Sequence, residues 1–456
     1  MSSKLSEFLA HLKKCASLLL SMGYDDPIFV FSHIDADGIS ATAIIMRTLM
    51  ELNKPFIVQF FPQIIPQTFF EIWSELAPRY AIFVDLGTTK PLEILSKADT
   101  LSSAIIIDHH IVDRSNIGDP RVLIANPRIY GFDGGSEISS SGVAYLIANM
   151  FSRSIPRIKE CSKLAIIGAL GDSQDVGAMR GLIGLNELIL NDGKTSGFVT
   201  DEVDLIFIGR GIKPLYRLLA ETFTINIPGV TGSYDGALDF LIRNGILRKG
   251  DDIDNIYLDD LNKAKKNTLR KKIIESVMLS NPGKYTIEAL EELLMGKIYH
   301  LVKESRRFLA YARDAAIILN ACGKMKNPHM AVELLFSKKN KGIDEKILQL
   351  YDRYRALISN VLREIDTRVE YRERIAIYDG RDELDEELAS TVASILASML
   401  HRKADAVIVI ARSVGDLAKV SIRRTMSSNL RDLPVSYTHL RAHETEADLV
   451  CRLLLE

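Results

Sequence analysis

Histidine and aspartate side chains of the kind that bind metal ions follow an apolar run near the start of the chain. The run 29–32 leads into His33, Asp35 and Asp37, after which a glycine and a helical pattern begin. In a continuing strand these three side chains would share one face, because side chains alternate along a strand. Ionisable groups this close repel or desolvate one another unless a positive charge, such as a divalent cation, lies between them. The alternative is an Asp-rich turn in which Asp37 caps the next helix.

Three further apolar runs end in the same kinds of residue. Runs 81–84 and 104–107 are short, as expected of strands buried on both faces of a parallel sheet, whereas run 165–171 fits a strand or a helix equally well. The carboxyl ends of parallel strands form the ligand crevice of open α/β sheets, so we expect these endings to converge. The candidate ligands at the four endings are His33, Asp35 and Asp37, then Asp85, then Asp108, His109 and His110, and finally Asp172.

These endings resemble the motifs of a known enzyme family. Segments 32–38, 85–87, 108–110 and 168–172 are similar to the four motifs of the DHH phosphoesterase superfamily. Segments 209–215 and 313–323 resemble its archaeal RecJ-like branch, which includes the GINS-associated nuclease. The resemblance implies an α/β fold in which an N-terminal DHH domain has a parallel sheet flanked by helices. A helical middle region and a smaller C-terminal α/β domain of the DHHA1 type would follow.

The resemblance also implies a site for two divalent cations. Carboxylates and imidazoles without thiolates favour Mn²⁺ or Mg²⁺ over a structural zinc site, and of these two we expect Mn²⁺ to be preferred, with Mg²⁺ as the alternative. Asp108 is expected to orient His109 from outside the ligand set, and His110 to lie near the scissile phosphate. The expected ligands are His33, Asp35 and Asp85 for the first ion and Asp37, Asp85, His109 and Asp172 for the second, with Asp85 bridging the two.

Two further segments are candidates for binding the substrate. Ser140, Ser141 and Gly142 precede a helical run, where hydroxyls and free amides suit an anionic group. Simple capping of that helix is the alternative. Arg423 resembles the arginine of the family's DHHA1 domain, and a guanidinium matches phosphate in bidentate geometry. An arginine at the surface end of a strand is the alternative, and Arg424 departs from the family's small polar residue.

We predict five segments along the chain. Residues 435–456 resemble the translation of a sequencing-library adapter, so we expect them to be a non-native tail and the DHHA1 domain to be truncated. The segments are a DHH catalytic domain at 1–190, a mostly helical linker or insertion region at 191–340, a connecting helix at 341–369, a truncated DHHA1 domain at 370–434 and the tail at 435–456.

Charge, cysteine positions and apolar content limit the partners and the cell compartment that we expect for this protein. The formal net charge of -2 supplies no global basic field, so nucleic acid would have to bind a local patch. The basic run 263–272 fits a solvated helix face, with phosphates or a partner surface as the alternative contact. The four cysteines are scattered without metal-ligand spacing, and no apolar stretch reaches the ~18 residues of a membrane span. We therefore expect a cytoplasmic protein without a membrane partner.

The leading functional hypothesis is a metal-dependent exonuclease that hydrolyses single-stranded DNA or RNA, with a role in DNA replication or repair. The polymer substrate is implied by the resemblance and not by the spacing of the motifs. The second hypothesis is a phosphodiesterase of oligoribonucleotides or cyclic dinucleotides. The third is a non-catalytic component of the replicative helicase with a vestigial metal site. The resemblance also implies a GINS-like replication factor as a partner.

Overall fold

The computed structural model describes most of the chain. Residues 426–441, with the end of the predicted DHHA1 domain and His439 of the predicted tail, lie outside the described residues. The described residues are 3–23, 26–112, 118–222, 224–337, 339–363, 365–400, 403–413, 417–425 and the backbone of 442–445 and 448–454.

A five-stranded parallel sheet forms the centre of the first half of the chain. Its strand order is β2-β1-β3-β4-β5, so the ends of β1, β3 and β4 lie side by side. Each of these three strands is nearly continuously apolar because both faces of the sheet are covered. The parallel sheet predicted from the sequence is confirmed. The strands are β1 Ile28–His33, β2 Phe56–Phe61, β3 Tyr80–Val84, β4 Ser103–Ile107 and β5 Val122–Ala125.

Helices cover both faces of this sheet. Side chains alternate between two cores, so that Val30 packs on the face of α2, α5 and α6, whereas Phe31 packs on the face of α3 and α4. The run 165–171, which fitted a strand or a helix, belongs to helix α6. The helices are α1 Ser3–Ser21, α2 Ala36–Glu51, α3 Pro66–Leu76, α4 Thr89–Leu95, α5 Ser140–Asn149, α6 Ser162–Gly171 and α7 Gly184–Thr195.

The middle region is helical, as predicted, but is framed by a strand pair that the sequence did not indicate. Strands β6 Val199–Leu205 and β7 Met295–Leu301 are antiparallel, and the helices between them pack around a separate core that includes Leu219 and Ile273. After β7 the chain returns to the first core. The helices are α8 Leu215–Ala220, α9 Tyr234–Arg243, α10 Lys263–Ser280, α11 Ile287–Leu294, α12 Ala312–Lys324 and α13 Pro328–Phe336.

The connecting helix predicted near 341–369 is present as α14 and leads to a second sheet of order β12-β13-β11-β10-β9-β8. Helix α16 packs on β10 and β11, which gives the smaller α/β unit expected there. No helix in the described ranges combines the length and apolarity needed to cross a bilayer. The elements are α14 Lys341–Arg363, α15 Ile365–Arg368, β8 Val369–Arg372, β9 Ile375–Asp379, α16 Glu386–Leu400, β10 Ala406–Arg412, β11 Leu417–Arg424, β12 Ala442–Thr445 and β13 Asp448–Leu454.

Candidate metal centre

The first motif reaches the sheet edge through a turn and not along a strand. Strand β1 ends at His33, and the chain turns at once into α2. Asp35 is the N-cap of α2, because its Oδ1 accepts the Gly38 N–H at 2.9 Å, and Asp37 lies in the first helical turn. The expectation that a continuing strand would align the three residues is therefore wrong, and so is the alternative that Asp37 is the cap. The turn nevertheless places His33 Nδ1 2.9 Å from Asp35 Oδ2.

Asp85 lies at the centre of the site. It follows β3 directly with a φ of 58°, a left-handed conformation that is uncommon for residues other than glycine and is often found at functional sites. Its side chain is 2% exposed. Its Oδ2 lies 3.6 Å from His33 Nδ1, and its Oδ1 lies 3.4 Å from His109 Nε2. Asp85 is thus within reach of two groups of candidate ligands at once.

The third and fourth motifs meet at His109 and Asp172. Asp172 follows α6, and its Oδ2 lies 3.2 Å from His109 Nε2. His109 Nδ1 donates to the Gly134 carbonyl at 2.6 Å, which leaves Nε2 as the nitrogen available to a metal. Four separate segments of the sequence therefore bring their side chains to one place, as predicted.

Asp108 orients His110 and not His109. Its Oδ1 lies 2.8 Å from His110 Nδ1, and its Oδ2 accepts from the Thr88 hydroxyl at 2.8 Å. The expectation that Asp108 orients His109 is wrong, because the Gly134 carbonyl already accepts the Nδ1–H of His109. His110 has a side chain that is 32% exposed, so it is the most accessible member of the triplet.

The serines at the start of α5 hold the carboxylates of the site. The N–H groups of Ser140 and Ser141 donate to Asp37 at 2.7 and 3.0 Å, and the Ser140 hydroxyl donates to Asp85 at 2.8 Å. Both serines are fully buried, and Gly142 is buried and donates its N–H to the Ser139 hydroxyl, the N-cap of the helix. The anion at this helix N-terminus is thus Asp37, and the assignment of 140–142 to direct substrate contact is corrected to positioning of the ligands.

The carboxylates of the cluster repel one another. Burial and the Asp85 charge raise the pKa of Asp37 to about 6, and burial and Asp37 raise the pKa of Asp172 well above its usual range. Burial opposes the charged form of His33, but Asp35 and Asp85 raise its pKa to about 10. Burial likewise opposes the ionisation of Asp85, yet hydrogen bonds from His109 and His33 hold its pKa well below the ordinary value. The cluster is therefore an environment that favours added positive charge.

The donor set fits divalent cations. Asp172 Oδ2 is buried and its 3.2 Å approach to His109 Nε2 does not form a hydrogen bond in the described part of the chain, so a cation would stabilise its charge. Imidazole nitrogens and carboxylate oxygens make up the candidate sets, and a carboxylate-rich set without thiolates suits Mn²⁺ or Mg²⁺ better than a structural zinc ion. Three sets of residues each offer ligand atoms that lie within 4.8 Å of one another inside the set. The sets are His33, Asp35 and Asp85, then Asp37, His109 and Asp172, and then Asp85, His109 and His110.

Helix α12 supports the first motif through contacts that sequence reasoning did not identify. Asn320 Oδ1 accepts the Ala36 N–H at 2.8 Å, which fixes the turn between β1 and α2. A methyl group at Gly323 would lie 1.6 Å from the Ile34 carbonyl oxygen, so only glycine permits this approach. The sequence did contain a signal for these contacts, because segment 319–323 resembles the RecJ-like branch. We predicted no role for that segment.

Gln174 is a second missed residue. It is fully buried, donates to the same Gly134 carbonyl as His109 at 2.8 Å and accepts from Asn186 at 2.6 Å. The pair therefore fixes the carbonyl that orients a candidate ligand. No sequence signal marks these residues, because the group that they hold is a backbone oxygen.

Arg423 lies on β11, where its Nε donates to the Ser394 hydroxyl at 3.0 Å. Its charge acts on Lys324 at the end of α12. Burial lowers the pKa of Lys324, Asp35 raises it and Arg423 lowers it again. The pKa of Lys324 thus depends both on a residue of the first motif and on a residue of the C-terminal sheet. Lys324 was not identified from the sequence.

The basic run 263–272 forms the first half of α10. Lys266 pairs with Asp204 at 2.5 Å, and Arg270 pairs with Glu291 at 3.0 Å. Lys265 donates to the Ile246 carbonyl at 2.7 Å. Three basic side chains of this run therefore form contacts within the middle region, which favours a helix face without a ligand over contact with phosphates or a partner.

Comparison with known families agrees with this geometry. Residues 27–169 match the DHH family, N-terminal domain, which spans the first three motifs and α5. Residues 207–291 match the DHH-CID domain, which corresponds to the helical region between β6 and β7.

Known proteins are similar to this chain over nearly its whole length. A protein of Methanocaldococcus jannaschii whose name states no function is 27% identical over 452 residues, which cover 97% of this chain and 91% of that protein. CDC45 from Entamoeba histolytica matches with a TM-score of 0.64 at 13% identity and covers 98% of this chain and 96% of its own. RecJ in complex with Mn²⁺ from Thermus thermophilus matches with a TM-score of 0.58 at 17% identity and 97% coverage of this chain. This chain spans about half the length of that RecJ, 52%.

Proposed function

We propose that this chain, which carries the N-terminal domain of the DHH family followed by a DHH-CID domain, is a metal-dependent phosphodiesterase that degrades single-stranded DNA or RNA from an end. The observation that carries the proposal is the convergence of side chains from four motifs in three overlapping sets of ligand atoms, two of which contain Asp85. Its two carboxylate oxygens face different imidazoles, His33 and His109. Asp85 would therefore be able to contribute a ligand oxygen to each of two ions.

The proposed ligands divide as the geometry suggests. His33, Asp35 and Asp85 would hold one ion, and Asp37, His109 and Asp172 the other. Asp85 would also join the second set, because its Oδ1 lies 3.4 Å from His109 Nε2. When bound, two Mn²⁺ ions, or Mg²⁺ as the alternative, would acidify a water and offset charge on the phosphoryl oxygens. The N-terminal amides of α5 keep Asp37 in place, because they donate to both of its carboxylate oxygens.

The chain's own residues would position the phosphodiester. Asp108 accepts the Nδ1–H of His110, so Nε2 is the nitrogen of that ring left to contact a phosphoryl oxygen. The charge of the imidazole would be stabilised by the buried Asp108 carboxylate as negative charge develops on the phosphate. Arg423 would bind a second phosphate of the strand from the C-terminal sheet, since guanidinium groups match phosphate geometry. No protein nucleophile is needed.

The cellular setting is part of the proposal. Cys15, Cys161 and Cys322 are buried and free, which suits a reducing compartment such as the cytoplasm. We extend the proposal to a role in DNA replication or repair with a GINS-like partner, which the resemblance of segments 209–215 and 313–323 to the archaeal RecJ-like branch implies.

The test is a nuclease assay on single strands labelled at either end, with Mn²⁺, Mg²⁺ or EDTA. We expect metal-dependent release of mononucleotides from one end, with duplex DNA resistant. Asp85→Ala should reduce hydrolysis to background, whereas Asp235→Ala, an exposed acid of α9, should leave it unchanged. Hydrolysis that survives Asp85→Ala would refute the proposed bridge. Strands of two to fifty nucleotides separate a polymer substrate from the small-substrate alternative.

A second candidate function is a non-catalytic component of a replicative helicase. It is favoured by the match to CDC45, which extends over nearly the full length of both chains. The retention of all candidate ligands in one cluster weighs against it, because a site without chemistry has no need of buried, mutually repelling carboxylates. Absence of metal-dependent hydrolysis on every strand, together with stable binding to a helicase partner, would favour this second function.

A further inference from the structure

A cavity of about 560 Å³ lies on the DHH domain away from the metal centre. It is enclosed by the C-terminal half of α2, the start of α6, the loop after β7 and the end of α13. Arg47 of α2 lines it, ten residues beyond Asp37, and Lys163 of α6 lines it, nine residues before Asp172. At 1.5 Å per helical residue, both helices place the cavity roughly 14–15 Å from the ligands that they carry. The cavity is therefore separate from the candidate metal centre.

Positive charge dominates the walls of this cavity. Six cationic side chains line it, whereas only two acids do. The six cations are Arg47, Arg157, Lys163, Lys303, Arg306 and Lys339, and the two acids are Glu160 and Glu304. An excess of cations around a concave, partly desolvated space favours an anionic ligand.

Three of these cations form no ion pair within the described part of the chain. The other three do: Arg306 pairs with Asp344 at 2.7 Å, Lys163 with Glu160 at 3.2 Å and Arg157 with Glu51 at 4.0 Å. Arg47, Lys303 and Lys339, in contrast, form no ion pair with a carboxylate of the described residues; Arg47 lies over the Phe336 ring at 5.0 Å. These free cations come from three different segments and face the same space.

Much of the remaining lining is apolar, alongside Cys161, Ser305 and Ser337, which restricts the ligand further. The apolar side chains come from α6, α12, α13, β7 and the turn Arg307–Leu309, so a ligand would meet both charge and hydrocarbon. Small-molecule sites have volumes of ~300–1,000 Å³, and this cavity falls within that range. The apolar residues are Leu164, Ile167, Leu301, Leu309, Ala315, Leu334 and Leu335.

We propose that this cavity binds a nucleoside phosphate at a second site, distinct from the metal centre. The phosphate would be held by Arg47, Lys303 and Lys339, and the base would pack on the apolar wall. This assignment does not depend on the chain being a nuclease, because none of the lining residues is a candidate metal ligand or substrate-binding residue. The ligand class follows from the combination, in one cavity, of cations that suit a phosphate with apolar side chains that suit a base.

The experiment is a calorimetric titration of the full chain with AMP, ATP and inorganic phosphate in the presence of EDTA. EDTA removes divalent ions, so binding at the metal centre and hydrolysis do not contribute. We expect saturable binding of one nucleotide per chain, with inorganic phosphate at least about ten-fold weaker because it lacks the base. Lys303→Gln/Lys339→Gln should weaken nucleotide binding at least about ten-fold, since two charge-assisted contacts are lost. Both lysines are exposed, so the variant should fold normally.

The matched control is Lys263→Gln/Lys271→Gln, which removes the same charge from two exposed lysines of α10. It should bind nucleotides as the unmodified chain does. Arg47→Gln is a second, independent variant that should weaken binding by removing the cation that α2 contributes. Absence of saturable binding, equal weakening by the control, or equal affinity for inorganic phosphate would overturn the proposal. Displacement of nucleotide only by an acidic peptide or a long single strand would also overturn it, because the cavity would then serve a macromolecule.

Discussion

Gly168 of α6 provides a sensitive test of how the metal centre is packed. A methyl group at this position would lie 2.1 Å from the Ser141 hydroxyl oxygen and 2.3 Å from Asp37 Oδ1. Helix propensity alone predicts that Gly168→Ala stabilises α6 by about 1 kcal/mol. The clash predicts the opposite sign, so the direction of the change distinguishes the two effects.

The size of the effect follows from these distances. Ordinary carbon–oxygen contacts need ~3.4 Å or more, so Asp37 or the start of α5 must move by roughly 1 Å. Overpacking of this kind costs ~1–3 kcal/mol in the free energy of unfolding, which outweighs the gain in propensity. A displacement of ~1 Å in a catalytic group costs about 100-fold in rate. We therefore expect lower stability and at least ~100-fold lower kcat/KM for the variant.

The assay combines urea unfolding with single-strand hydrolysis in Mn²⁺. Gly342→Ala is the matched control, because that glycine lies in α14 and a methyl group there meets nothing closer than the Asn340 side-chain oxygen at 3.5 Å. The control should be neutral or more stable and fully active. If Gly168→Ala were as stable and as active as the control, the close packing of α6 on Asp37 would be refuted.

Two further predictions concern residues that support the site. Gln174→Leu removes the donor to the Gly134 carbonyl and leaves Asn186 without its acceptor. We therefore expect the free energy of unfolding to fall by ~1–3 kcal/mol and Mn²⁺ to bind ~10–100-fold more weakly in a titration. Unchanged Mn²⁺ affinity would refute the role of the carbonyl in orienting His109. Burial raises the pKa of Asp314 to about 6 despite hydrogen bonds from the Gly209 and Gly211 N–H groups, so between its ordinary value of 3.8 and 6 the folded chain binds more protons than the unfolded chain. The contribution of this group to the unfolding free energy is thus present at low pH and lost as pH rises through about 6. Urea unfolding from about pH 4 to pH 7 should show a flatter profile for Asp314→Asn than for the unmodified chain, and identical profiles would contradict the raised pKa.

The sheet and the candidate ligands could both be predicted because each apolar strand pattern is followed directly by candidate ligands. Strands β3 and β4 are almost purely apolar, and the polarity changes abruptly at Asp85 and Asp108. Because all strands of a parallel sheet end at the same edge, the residues that follow them are brought together at that edge. Long α14 was also readable from its periodicity, since a single apolar face continues without an internal proline.

Contacts between distant segments could not be predicted in the same way. The amide of Ser140 that binds Asp37 lies 103 residues away in the sequence, and a backbone donor has no side-chain signature. The assignment of Asp108 to His109 was wrong for a related reason, because the partner of His109 is a backbone carbonyl. Strand β6 carries three acids within seven residues and was not identified, because its burial depends on pairing with β7.

The central claim is that the four motifs form one site for two cations that share Asp85. Calorimetric titration with Mn²⁺ of the unmodified chain, His33→Ala and Asp85→Ala tests it most directly. We expect two ions for the unmodified chain, one for His33→Ala and loss of tight binding at both positions for Asp85→Ala. Two tightly bound ions in Asp85→Ala, or a single ion in the unmodified chain, would contradict it.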